Sequence, residues 1–319
     1  MHPARLAFYA LSAAALPAFG QSAFLSGASA LGEPLFPESP RAYLDRDLQE
    51  QKRFAPDATG DSELGEQLIL ARTGTPPPYE FDFSTQVRWS DNLANTDTNE
   101  HEGFFWENHA ELAYRPRVGE NFFLDISGGA SSYLFEGPSA LDFELYSAGI
   151  GVVKIFPQFN DLLTYARYQF QHLNARGGSL PEINPQDASY HRIRYGAHLG
   201  ILSTPRFSSY VALDVAHDID ASPEAFASDE VAARVAASYN FTTNTEATIF
   251  YRGGYRDFRN NDATDFHHTG GVRFHYYVTR SLDLYASALL SKNDTTRGPS
   301  TRDYESTQIG LGMNYQVKF

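Results

Sequence analysis

The sequence contains no cysteine. That absence excludes disulfide bridges, thiolate metal sites and a lipid attached through an N-terminal cysteine. Methionine and tryptophan are scarce, at two each among 319 residues. Beyond residue 20 no run approaches the ~18 apolar residues that a membrane-spanning helix needs. Mean hydropathy is −0.39, too polar for a bundle of such helices. Positive charge is in deficit: 25 Lys and Arg face 39 Asp and Glu, a net charge of −14. A nucleic-acid partner wants a basic face, so none is expected. Phosphate loops, dinucleotide fingerprints and paired-carboxylate motifs are missing too, and no cofactor is implied. His267 and His268 adjoin Asp265, but successive strand positions point to opposite faces, so no metal site is expected.

What is abundant is aromatic. The chain holds 19 Tyr and 24 Phe, and aromatics make up 14 % of it. Its two ends differ in kind. Residues 1–20 read as a signal peptide: His2 and Arg5, an apolar run from Leu6 to Leu16, then Pro17 and small residues before a cut at Gln21. Residues 21–78 hold scattered prolines, mixed charge and no period-two alternation. They read as an extended periplasmic segment or an unstructured leader, with a short helix expected near Asp61–Arg72. Pro76, Pro77 and Pro78 form a stiff spacer.

From Tyr79 onward the chain alternates. Residues Ile309, Leu311, Met313, Tyr315, Val317 and Phe319 are apolar, and the interleaved Gln308, Gly310, Gly312, Asn314, Gln316 and Lys318 are not. A strand with this pattern has one greasy face and one wet face. Similar rows place strands near 79–90, 102–116, 121–136, 141–156, 161–173, 189–203, 207–220, 228–241, 245–258, 266–278, 281–293 and 304–319. Tight turns alternate with longer polar loops, as in outer-membrane barrels. Aromatics recur near strand ends, among them Trp89, Trp106, Tyr114, Tyr239 and Tyr276, as expected of interfacial girdles. The expected fold is all-β: a transmembrane antiparallel up-and-down barrel of about twelve strands over 79–319. A soluble β-sandwich would also alternate, but it does not explain the loop asymmetry. The weakest alternation is in 141–156, where Leu145 and Val153 would face the lumen.

Two resemblances follow. The last strand, ending in Phe319, is similar to the terminal strand of bacterial outer-membrane barrels. In those the final aromatic helps the barrel-assembly machinery recognise its substrate, so the resemblance implies an assembly signal at Phe319. The segment Phe81–Asn92 resembles the opening strand of the β-barrel porin families, in which a strand ending in Asp-Asn leads into the first loop. That implies an outer-membrane pore, general or associated with surface polysaccharide. Gln171–Gly178 resembles the His-x-Ser stretch of outer-membrane phospholipases. Asn174 stands where the nucleophilic serine belongs, so hydrolysis of lipid is not expected.

The strand pattern assigns charge to the lumen. Glu80, Glu107, Glu111 and Asp125 fall on the early strands, while Arg167, Arg192, Arg194, Arg234, Arg252 and Arg273 fall on later ones. Opposed charged walls orient polar solutes, and guanidinium suits carboxylate and phosphate. The expected function is a porin-like channel for small polar or anionic solutes, acidic oligosaccharides included, seated in outer-membrane lipid. The competing reading is a closed barrel filled by its own ion pairs, whose loops contact surface polymers or proteins. Oligomeric state is left open.

Overall fold

The computed structural model describes residues 78–93, 95, 100, 102–136, 142–175, 188–204, 206–259, 263–279, 281–297 and 303–319. The expected signal peptide and all but the last residue of the expected 21–78 segment lie outside the described residues.

Alternating apolar and polar rows become thirteen strands: β1 Tyr79–Ser90, β2 Gly103–Tyr114, β3 Arg117–Gly119, β4 Phe122–Phe135, β5 Phe143–Phe156, β6 Leu162–Ala175, β7 Ala188–Ser203, β8 Phe207–Ser222, β9 Ser228–Asn240, β10 Thr245–Phe258, β11 Ala263–Tyr277, β12 Leu282–Arg297 and β13 Tyr304–Lys318. Twelve of them form the wall. Each pairs antiparallel with its neighbours in chain order, and β1 closes on β13 in register from Glu80↔Lys318 to Ser90↔Gln308. Closure leaves the twelve-stranded wall, among the described residues, without a free edge, which a membrane setting demands of β structure. The extra strand, β3, is a three-residue hairpin arm on β4 inside the expected turn at 117–120.

Loop lengths alternate as the sequence implies. Connections β5–β6, β7–β8, β9–β10 and β11–β12 are tight, and β2–β4 is closed by the β3 arm. Asn121, Asn160 and Asp161 take positive φ there, a conformation short polar side chains tolerate best. Strands run further than expected at the other end: β12 reaches Arg297 and β11 begins at Ala263.

The two faces differ sharply. Outward rows are apolar and exposed, with Ile249 at 63 %, Leu290 at 64 % and Leu311 at 69 %. Val231, Val235, Val272, Phe274 and Leu284 belong to the same belt. Water would penalise such a surface, while lipid matches it. Inward rows are polar and largely buried. On β5 the inward row is apolar instead: Leu145 and Val153 do face the lumen, each in a buried cluster.

A charged vestibule below a packed layer

The lumen has two tiers. Toward the long-loop end it is filled. One half of that layer is aromatic and aliphatic: Phe105, Tyr133, Phe143, Leu145, Leu173 and Tyr190 pack together, with Tyr133 and Phe143 stacked at 4.3 Å. The other half is ionic. Arg192 on β7 donates to both oxygens of Asp218 on β8, at 2.6 and 3.0 Å, and the backbone N–H and hydroxyl of Ser228 complete the Asp218 shell. Asp218 is fully buried and Arg192 is 3 % exposed. Next to them Glu230 on β9 accepts from Arg252 at 2.5 Å and from Arg256 at 2.6 Å, with His267 Nε2 3.4 Å away. Strand alternation sends His267 inward and its neighbour His268 outward, where it meets the Tyr251 hydroxyl at 2.6 Å.

Toward the short-turn end lies a cavity of about 380 Å³. Six carboxylates line it, Glu80, Asp82, Glu107, Glu111, Asp125 and Asp214, together with six arginines, Arg88, Arg115, Arg167, Arg194, Arg234 and Arg273. The signs are segregated. Five of the carboxylates sit on β1, β2 and β4, and Arg167, Arg194, Arg234 and Arg273 sit on β6, β7, β9 and β11. Asp214 interrupts the basic side, accepting from the Tyr165 hydroxyl at 2.5 Å.

Two arginines change the character of the acidic wall. Arg115, in the turn after β2, reaches back into the lumen. It donates to Glu80 at 2.7 Å, Asp125 at 3.2 Å and Glu111 at 3.3 Å. Arg88 on β1, 1 % exposed, lies 3.3 Å from Glu107, which also accepts from Gln86 at 2.5 Å and from Tyr133 at 3.3 Å. Three-way clamping by a planar donor fixes these carboxylates against the wall and offsets their field locally.

On the basic side Arg167 bonds the Ser127 hydroxyl and lies 3.8 Å from Asp125. A glycine on the next strand makes room for it. A Cβ at Gly149 would stand 2.5 Å from Arg167 Nε and 2.7 Å from Nη2, so the guanidinium occupies the space over bare β5 backbone. Arg273 stacks its guanidinium 4.3 Å over the Tyr285 ring.

Of the ten charged residues expected in the lumen, eight line this cavity: Glu80, Glu107, Glu111, Asp125, Arg167, Arg194, Arg234 and Arg273. Arg192 and Arg252 also face inward but belong to the packed layer above. Arg88 and Arg115 line the cavity as well. Both were legible: Arg88 falls on the wet row of β1, and Arg115 continues the odd-numbered wet row of Glu107 and Glu111 to the end of the strand expected over 102–116, although β2 itself stops at Tyr114.

No protein-family model and no curated protein matches the sequence. Solved structures do match. The COG4313 outer-membrane channel of Pseudomonas putida F1 aligns at 10 % identity over 76 % of this chain and 97 % of its own, with a TM-score of 0.48. The outer-membrane channel DcaP of Acinetobacter baumannii aligns at 10 % identity over 75 % and 96 %, TM-score 0.42. The KdgM porin in complex with disordered oligogalacturonate aligns at 12 % identity over 73 % and 98 %, TM-score 0.41. The likeness is one of barrel architecture. With its closed wall and apolar belt, the chain is a twelve-stranded transmembrane β-barrel.

Proposed function

We propose that the barrel is a porin-like channel for small polar solutes, with a mild preference for anions. The observation that carries this is the clamp on the acidic wall. Arg115 holds Glu80, Glu111 and Asp125 while Arg167, Arg194, Arg234 and Arg273 border the same cavity from the other side. A solute there meets carboxylates already committed to the protein and a wall of permanent positive charge. In a narrow lumen that charge is only partly screened at ordinary salt. The preference is therefore stronger in dilute electrolyte.

The filled layer favours a second reading, a closed barrel whose loops bind surface polymers or proteins. Under the channel reading this layer must yield during passage. Planar-bilayer conductance of the refolded full chain separates the two. A salt-dependent, anion-leaning current supports the channel, and a silent barrel supports the closed one.

A further inference from the structure

We infer that the outward face of β1, β2 and β4 is a contact surface for a second copy of this chain, lying beside the first in the membrane. The inference goes beyond the channel reading and does not depend on it. Its basis is a break in the apolar belt. In register, Thr85 on β1 stands opposite Asn108 on β2, and Asn108 stands opposite Ser132 on β4. All three belong to the outward rows, and Thr85 and Asn108 sit near the middle of their strands. Thr85 Oγ1 donates to Asn108 Oδ1 at 2.7 Å and accepts from Trp106 Nε1 at 2.9 Å. Asn108 Nδ2 donates to Ser132 Oγ at 3.2 Å. Followed the other way around the wall, the same cross-strand row is apolar and exposed: Met313, Leu284 and Tyr276.

Among the described residues, these bonds use one of the two Asn108 N–H groups and leave the Ser132 hydrogen uncommitted. Hydrocarbon offers such donors nothing to bond. Spanning elements that expose amides and hydroxyls to lipid instead associate through them. The row is neutral, and both its amide and its hydroxyls donate and accept. Two copies related by a twofold axis along the membrane normal present equal heights to each other, so this row meets itself and is complementary to itself. A row of one charge would repel its copy. A lipid headgroup stays at the membrane surface and does not reach the middle of β1. Ala110 and Ala130, paired one step toward the short-turn end, let the two walls approach. Trp106, 51 % exposed beside the row, supplies the large rigid side chain common at the centre of protein contacts.

The test is sedimentation equilibrium of the full chain in density-matched detergent, paired with crosslinking in membranes. The wild type should sediment as a dimer. Asn108→Leu with Ser132→Ala should weaken self-association about tenfold, the loss of two interchain hydrogen bonds in lipid. The heat-modifiable fold should persist, because the change removes polar groups from the lipid face and keeps the Trp106–Thr85 bond. The chain has no cysteine, so single cysteines report contact directly. Ala110→Cys should crosslink to its own equivalent through a short bismaleimide, and Ala286→Cys, on the outward row of β12, should not. If the double variant folds poorly, the crosslinking pair decides alone. A monomeric wild type, a dimer unmoved by the double variant, or crosslinking as strong at Ala286 as at Ala110 would overturn the inference. A crosslink from Ala110 only to a different protein would also overturn it and give the face to that partner.

Discussion

Replacing Asp218 by alanine is the sharpest test of the packed layer. In the wild type its carboxylate takes both donors of the Arg192 fork, at 2.6 and 3.0 Å, and two from Ser228, at 3.0 and 2.9 Å. All these bonds are buried. Removing the carboxylate strands a guanidinium in low dielectric, a change that costs about 3–5 kcal/mol when one partner of a buried pair is deleted. The orphaned Ser228 donors add about 1 kcal/mol each before relaxation. Because neighbouring losses are not additive, about 4 kcal/mol is the expected total. Urea unfolding in micelles, followed by the heat-modifiable gel shift, reads it directly. The double variant Arg192→Met with Asp218→Leu should regain most of that loss, since apolar pairs of similar volume replace buried ion pairs at little cost. A loss under about 1 kcal/mol, the range of solvated pairs, would mean that the layer is wet. A double variant as weak as the single one would show that the stranded charge is not the cause.

Three further outcomes follow from the wall. Leu284→Arg, on the exposed outward row, should cost about 2–4 kcal/mol near the bilayer midplane, while Ser287→Gln on the inward row of the same strand should cost far less; equal losses would point to a sheet packed on both faces. Gly312→Ala should destabilise by about 1–3 kcal/mol, because its Cβ would meet Tyr285 Cζ at 2.6 Å and Thr85 O at 2.7 Å, and a silent substitution would show that β1 and β12 can move apart there. Deleting Phe319, whose ring stacks on Tyr79 at 5.7 Å and whose N–H donates to the Tyr79 carbonyl at 3.0 Å, should lower the yield of folded barrel, whereas Lys318→Gln should not; similar yields from both would remove Phe319 from the closing seam.

The wall was largely legible in the chain because period two is a property of every strand and a barrel imposes it everywhere. The apolar row from Ile309 to Phe319 and the wet row beside it appear unaltered as the two faces of β13. Even the apparent fault in β5 was informative: Leu145 and Val153 break the pattern because the lumen beside them is packed with apolar side chains rather than filled with water. Depth along the lumen was not legible. Alternation says which face a residue takes but not its height, which depends on stagger between strands. Arg192 and Arg194 are two positions apart on the same inward row, yet one is locked to Asp218 and the other borders the cavity. The role of Arg115 was not legible either, for a different reason. Its role comes from three carboxylates on three strands, and only the closed fold brings them within reach of one turn.

Arg115 also offers the most direct test of the functional account. The reversal potential of the full chain in a planar bilayer, under a potassium chloride gradient at low ionic strength, should have the sign of chloride preference. Arg115→Gln releases Glu80, Glu111 and Asp125 toward the cavity and should move that potential to the cation side. A wild type that passes no current or prefers cations, or a variant whose reversal potential stays where it was, would contradict the account.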